Sequence, residues 1–359
     1  MIEGLGRALA DCEQPAIPEL EWAVAEAIGG PRRLARLTRL ERLKRRVFRL
    51  EVAVGNEVRT LVIKRMEPQP ARRNELAIRR WLPEAGLDGI APALLGIGAQ
   101  RSAGWVWHVY EDLGPWMLDP REPNRERVAS AVRVIAGLHS RFASHPLLAE
   151  CRLDGQDLGA AFFWSSVRDA LYSLEALRPP QVALTDAEAA LRDRLLQRHR
   201  RLLDEGPRRA RALELWGGPE TFLHGDLWTT NTFVEPTAQG PRVRFIDWDH
   251  AGIGPAAYDL STFLLRFAPE LRPWILDLYR GSLDGGGWRV PDAHELNLLF
   301  ETAEYTRYAN WAIWPAVALR KERASWGFDG LAEVDRWFES FRPVIPAPAT
   351  CREGPRCDT

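Results

Sequence analysis

Cysteine is almost absent from these 359 residues. Four thiols stand at positions 12, 151, 351 and 357, and no two have CxxC spacing. That pattern excludes a disulfide framework and a cysteine-built metal site, and it is the usage expected of a reducing cytoplasm. Long apolar runs are missing as well: no stretch approaches about 18 consecutive apolar residues, so no membrane-spanning helix is expected. Met1-Ile2-Glu3-Gly4 has neither the basic start nor the apolar run of a signal peptide. Nor is there an excess of charge of one sign. The 48 Lys and Arg stand against 49 Asp and Glu, a formal net charge of −1. Wholesale attraction to nucleic acid or to an anionic membrane surface is therefore not expected. Lysine itself is scarce, with only Lys44, Lys64 and Lys321 among the 48 basic residues. In a chain that uses Arg by default, a Lys is either a chance survivor or a residue that the chemistry requires, and position has to decide.

What is present is patterned. Residues 18–28, closed by Gly29-Gly30, read as a short helix with a glycine stop. Phe48, Leu50, Val52 and Val54 alternate with Arg49, Glu51 and Ala53, the period of a half-buried strand. Gly55-Asn56 then turns the chain into a second strand from Val58 to Lys64, making a hairpin. A helical pattern covers 71–82, and two more strands are expected at 93–98 and 105–110. Beyond Pro115 the periodicity is mainly helical, over 123–143, 157–177, 186–204, 256–268, 270–282 and 292–321, with a capping box at Thr185-Asp186-Ala187-Glu188. One β-like island, Phe222 to Asp247, interrupts the helices. The expected architecture is α+β: a small antiparallel β-rich lobe over 1–112, a larger helical lobe over 113–342, and a Pro-rich, apolar-poor tail over 343–359 that reads as disordered.

The chemistry concentrates in the island. Phe222-Leu223-His224-Gly225-Asp226 ends an apolar stretch, and Asn231 follows five residues after the Asp. Val243-Arg244-Phe245-Ile246-Asp247 is an apolar strand ending in a second Asp. Between them, Thr232-Phe233-Val234 forms a short strand, and Glu235 to Pro241, with two Pro and a Gly, supplies a turn. Two strands joined that way bring Asn231 and Asp247 together. An amide and a carboxylate oxygen suit a hard cation such as Mg²⁺ whose shell is completed by nucleotide phosphates. Asp226, earlier on the same loop, is placed to hold an acceptor hydroxyl and take its proton. Lys64 closes the apolar strand Leu61-Val62-Ile63-Lys64, where an ammonium can meet α- and β-phosphates, and Glu75 on the next helix can hold that ammonium. Asp247-Trp248-Asp249 also has the spacing of a DxD metal site of glycosyltransferases, but that reading leaves His-Gly-Asp and Lys64 without a role.

The HGDxxxxN run, the Ile246-Asp247-Trp248-Asp249 strand end and Gly254-Pro255-Ala256-Ala257-Tyr258-Asp259-Leu260 resemble the aminoglycoside phosphotransferase and choline-kinase-like group of small-molecule kinases. The resemblance runs over roughly 35–320, and its specific motifs lie in 222–260. It implies a two-lobed protein-kinase-like fold and the use of ATP and Mg²⁺, with Asp226 as catalytic base, Asn231 and Asp247 as metal ligands, and Lys64 with Glu75 as the phosphate-binding ion pair. It also implies a hinge at Val109–Gly114, where the backbone of Glu111 and Leu113 reads the adenine edge. His224 is expected to orient the loop and Asp259 to accept loop N–H groups. The chain departs from the pattern in one place: Arg39 to Arg46, read as the loop between the first two strands, has no glycine through which backbone could approach phosphates. Lys44, Arg45 and Arg46 either bind phosphate by charge or form a solvated basic turn. On the helix through 296–319, Glu301, Glu304, Tyr308 and Trp311 share a face. That face is either a pocket for a polar, even cationic, acceptor or a partly solvated surface. The partner is a small-molecule hydroxyl acceptor, which leaves an antibiotic, a metabolic substrate (sugar, amino alcohol or glycated amine), or a nucleotide-binding module without catalysis. Oligomeric state is left open.

Overall fold

The computed structural model describes residues 2–30, 33–100, 104–283 and 291–346. The first part is built on sheet periodicity. Strand β1 (Ile2–Glu3) and helices α1 (Leu5–Ala10) and α2 (Ile17–Ala27) precede β2 (Ala35–Lys44), β3 (Val47–Val54) and β4 (Glu57–Met66). Helix α3 (Pro68–Leu76) continues through a π-turn at Ala77–Trp81 into α4 (Leu82–Glu84), and β5 (Leu94–Ala99) and β6 (Val106–Glu111) complete the sheet. Six strands lie in the order β1-β2-β3-β4-β6-β5, antiparallel except for the β1–β2 pair. Phe48, Leu50 and Val52 of β3, Leu61 and Ile63 of β4, and Trp107 and Val109 of β6 point to one buried face. Leu20 and Val24 of α2 close that face.

The expected loop at 39–46 is not a loop. Strand β2 runs to Lys44 and only Arg45-Arg46 turn. Few of its side chains are apolar; it pairs with β3 along its length and through charge, Arg39 with Glu51 at 3.3 Å and Glu41 with Arg49 at 3.2 Å. A strand built on cross-strand charge pairs shows no hydrophobic alternation.

The second part is helical. It comprises α5 (Arg125–Phe142), α6 (Leu148–Asp154), β7 (Gln156–Asp157), α7 (Ala160–Glu175), α8 (Asp186–Trp216), β8 (Thr221–Leu223), β9 (Thr232–Glu235), β10 (Arg242–Phe245), β11 (Gly252–Gly254), α9 (Ala257–Leu265), α10 (Arg272–Ser282), α11 (Ala293–Glu322) and α12 (Trp326–Ser340). Both bonds of the Thr185–Glu188 capping box form at the start of α8, which then runs past the expected end at 204, through Pro207, to Trp216. Strands β9 and β10 pair as an antiparallel hairpin, and β11 lies between β7 and β8. Residues 343–346 are not a free tail: Val344 and Ile345 are buried, and Asn297 holds Ile345 through two bonds of 2.9 Å. Two apolar side chains were enough to dock the segment. The rest of that expected disorder, 347–359, lies outside the described residues. Among the described residues no helix is long and apolar enough to cross a membrane.

Helix α2 lies unusually close to β5. A Cβ on Gly96 would stand 2.3 Å from the Ala23 carbonyl oxygen, and one on Gly98 2.3 Å from that of Glu19. Backbone, not a flexible side chain, fills the space, so the helix must move to admit a methyl group. We expect Gly98→Ala to cost about 1–3 kcal/mol, the usual scale of overpacking. Urea unfolding measures it, and an unchanged midpoint would show that the contact can relax freely.

Candidate active site

The loop after β8 is fixed by its own backbone. Gly225 has φ +83°, and a Cβ there would meet the His250 carbonyl oxygen at 2.0 Å, so no other residue fits. The N–H groups of His224 and Gly225 donate to the two oxygens of the buried Asp259 carboxylate, at 2.7 and 2.9 Å. The burial of Asp259 favours its neutral form, but hydrogen bonding from His139 and the loop outweighs it and holds the carboxyl below its ordinary range. An ionised Asp259 only accepts. His139 Nε2, at 3.5 Å, therefore donates to it, and His139 Nδ1 accepts from the Tyr279 hydroxyl at 2.9 Å. His224 ties the loop to the neighbouring strand: its Nε2 donates to the Ile246 carbonyl at 2.8 Å, and its Nδ1 accepts the Asp226 N–H at 3.3 Å.

The hairpin then places the other groups. The Ile246 N–H bonds the Asn231 carbonyl at 2.9 Å, so the residues flanking β9 and β10 lie side by side. The Asn231 amide donates to the Asp226 backbone oxygen at 2.9 Å and to its carboxylate at 3.1 Å. Asp247 follows in the left-handed conformation, φ 75° and ψ 47°. For an L-residue this costs roughly 1 kcal/mol, least for Asp and Asn. It ends the strand and turns the carboxylate toward Lys64.

Lys64 of β4 reaches down between the two parts. Its ammonium bonds the carboxylates of Asp247 and of Asp249, the latter at 2.8 Å. Burial works against the charge, but the two carboxylates outweigh it and hold the Lys64 pKa above its ordinary value. Asp247 is likewise opposed by burial, and Lys64 keeps it below the usual carboxylate range. For Asp249, burial and then the charge of Asp247 push the pKa up.

Glu75 does not hold Lys64. It pairs with Arg79, at 3.3 Å, and it is Asn74 that is buried, bonded to the Tyr110 hydroxyl at 2.8 Å and close to His108 at 3.2 Å. A π-turn at Ala77–Trp81 follows directly, with Trp81 buried in the core. That turn carries no signature in composition.

A cavity of about 350 Å³ opens between the parts, with Val47, Val62, Leu113, Phe233 and Ile246 among its walls and Lys64, Asp247 and Lys44 at one end. The segment expected as a hinge lines it. The Glu111 N–H is bonded to the Ala93 carbonyl at 3.2 Å and its carboxylate to Arg244 at 2.9 Å. Asp112 is gripped by Arg49 at 2.9 and 3.4 Å and accepts the Gly114 N–H at 3.1 Å. Of the basic turn, Lys44 faces the cavity, whereas Arg46 lies over the Trp105 ring, 4.6 Å from its centre.

The expected acceptor face is dispersed. Glu301 bonds Arg209 of α8 at 3.3 Å, Trp311 is 60% exposed, and Tyr308 packs among Trp337, Phe338 and Phe341. Glu304 is buried and bound to Arg307 and to Ser261. Helix α11 touches α7, α8, α9 and α12, so its stripe meets other helices instead of one shared pocket.

The donor set suits a hard cation only in part. Asn231 and Asp247 offer an amide and a carboxylate oxygen, but among the described residues there is no group of three or more His, Cys, Asp or Glu able to hold a metal ion. A divalent cation at this place needs phosphate oxygens to complete its shell, as a nucleotide-borne Mg²⁺ would have.

Against known proteins, a family model described as the phosphotransferase enzyme family matches residues 39–294. No curated protein sequence matches the chain. Among solved structures, the chain is similar to an aminoglycoside phosphotransferase with GDP and kanamycin (TM-score 0.54, 17% identity, covering 85% of this chain and 95% of the other). It is similar to a spectinomycin phosphotransferase with ADP and spectinomycin (0.53, 14%, 87% and 90%). It is similar also to an ethanolamine kinase of Plasmodium vivax (0.52, 15%, 81% and 80%). The fold is the two-lobed, kinase-like α+β architecture.

Lys64→Met would leave Asp247 and Asp249 facing each other with no ammonium between them. Breaking such a pair costs on the order of 3 kcal/mol at neutral pH. Without Lys64 the folded-state pKa of Asp249 rises further above its unfolded value. The penalty is then full above that folded pKa and fades as the pH falls through it. Urea unfolding of nucleotide-free protein at pH 7 and pH 5 should show the gap from wild type narrowing at the lower pH. A gap of constant size would mean that the two carboxylates are not in tension.

Proposed function

The chain belongs to the phosphotransferase enzyme family, and from that premise we propose that it transfers the γ-phosphoryl group of ATP, with Mg²⁺, to a hydroxyl of a small molecule. The observation that carries this reading is a chain of contacts linking four groups: Lys64 bonds Asp247, Asp247 follows Ile246, whose N–H bonds the Asn231 carbonyl, and the Asn231 amide bonds Asp226. They come from β4, from the loop after β8 and from the two sides of the β9–β10 hairpin. Phosphoryl transfer asks a protein mainly for position and charge, and these groups supply both.

In this reading the base lies between Val47 and Val62 on one side and Phe233 and Ile246 on the other, with the Glu111 carbonyl and the Leu113 N–H at its edge. Lys64 leaves the carboxylates for the phosphates, and Asn231 and Asp247 hold the Mg²⁺, which when bound neutralises charge on the transferring group. Asp226 accepts the proton of the acceptor hydroxyl as its oxygen bonds to the γ-phosphorus and the bond to the departing ADP breaks. The Asn231 amide, donating to the Asp226 carboxylate, keeps that side chain aimed. His224 and Asp259 hold the loop and take no part in the transfer. Lys44 stands in for the glycine loop that this chain lacks, reaching the phosphates from the end of β2.

Two variants test the assignment. Asp226→Asn keeps size and loses basicity, so it should bind ATP normally and lose ~10²–10⁴-fold in phosphoryl transfer, followed as ADP formation. Near-normal turnover would remove Asp226 from the mechanism. Lys44→Met should raise the KM for ATP by roughly tenfold, about 1.4 kcal/mol, with a smaller effect on kcat. An unchanged KM would return Lys44 to being a solvated strand end.

A further inference from the structure

Beside Asp226 the chain presents arginine where a cationic acceptor would need carboxylates. Arg266, at the C-terminal end of α9, lies over the Trp228 ring, its Cζ 4.1 Å from the ring centre. Trp228 is two residues from Asp226 on the same loop, its N–H bonded to the Asp226 carbonyl at 2.8 Å. The Arg266 Nε is buried and has no partner among the described residues. Burial pushes the pKa of this guanidinium down, and the carboxylates that oppose the shift are Glu304 and Asp226 itself. Glu304 is already taken. It bonds Arg307, whose guanidinium also lies 3.7 Å from the centre of the Tyr258 ring and donates to Ser261. Of the two carboxylates that the sequence offered for a cation, Glu304 is neutralised here and Glu301 is neutralised by Arg209.

A guanidinium held over an aromatic ring keeps its donor edge free and pre-aimed, and that planar fork matches the two oxygens of a carboxylate or phosphate. Half-buried Arg266 has no ion-pair partner among the described residues, so the arrangement suits a ligand that brings the anion. We propose that the acceptor carries an acidic group, a carboxylate or a phosphate, which docks on Arg266 and brings a hydroxyl of the same molecule to Asp226. Trp228 is the platform that sets the plane of the guanidinium. A polycation would instead meet the guanidinium groups of Arg266 and Arg307 beside Asp226. The inference rests on the phosphotransferase reading of the same cleft, and it separates this chain from the kanamycin complex and the ethanolamine kinase whose fold it shares.

The test is a set of acceptors matched in scaffold and differing in charge: glucose, gluconate, glucose 6-phosphate, glucosamine and kanamycin. Each is titrated calorimetrically into the whole protein saturated with ADP and Mg²⁺. Binding and slow hydrolysis of ATP are measured on the same preparation. Gluconate or glucose 6-phosphate is expected to bind at least about tenfold tighter than glucose, and which of the two does so tells carboxylate from phosphate. Arg266→Gln should remove that preference for the anion over glucose. Arg266→Lys, which keeps the charge and loses the fork, should lie between. Tighter binding of glucosamine or kanamycin, no binding of either anion, or a preference unchanged by Arg266→Gln overturns the proposal. Failure of the wild type to bind and hydrolyse ATP would instead overturn the phosphotransferase reading beneath it.

Discussion

One ammonium joins the two parts of this molecule in charge. Lys64 is the last cleft-facing side chain of a strand whose other face is core, and it ends between Asp247 and Asp249 at the far end of a separate hairpin. Two carboxylates that close, and largely buried, tolerate each other only with a cation between them. Here that cation is the Lys64 ammonium.

Beneath the cleft, side-chain bonds converge on the loop that carries Asp226. Asp259 spends both oxygens on consecutive backbone N–H groups, and His139 and Tyr279 support it from beneath. His224, locked into one tautomer by what it bonds on either side, couples the loop bearing Asp226 to the strand bearing Asp247. Gly225 lets that loop pass against the His250 carbonyl. The loop bearing Asp226 and the strand end bearing Asp247 are thus tied through His224.

Much of this was legible in the sequence because it is local. The runs from Phe222 to Asn231 and from Val243 to Asp247 each carry their own turn chemistry, and the hairpin follows from them. The long helices announced themselves by period and by the Thr185 cap. What escaped notice depends on distant or silent features. Strand β2 hid because its stability comes from charge pairs with β3. The pairing of Glu75 with Lys64 does not form because two carboxylates distant in sequence, Asp247 and Asp249, take the ammonium while Glu75 pairs with Arg79. The stripe from Glu301 to Trp311 shares one face by period, but α11 is enclosed by other helices, and arginines pair with its carboxylates: Arg209 of α8 with Glu301, and Arg307, one turn further along α11, with Glu304. Arg266 and Arg307 belong to no motif, and only the folded chain sets the one on Trp228 and the other on Tyr258.

The account stands or falls on what Asp247 does. If its carboxylate serves first Lys64 and then a phosphate-borne Mg²⁺, the affinity for ADP must depend on Mg²⁺ through that side chain. The most direct measurement is calorimetric titration of ADP with Mg²⁺ and with EDTA, in the wild type and in Asp247→Ala. The account predicts tighter binding with Mg²⁺ in the wild type and the same affinity under both conditions in the variant. A variant that keeps the full Mg²⁺ enhancement would place the metal elsewhere and contradict the assignment of this cleft.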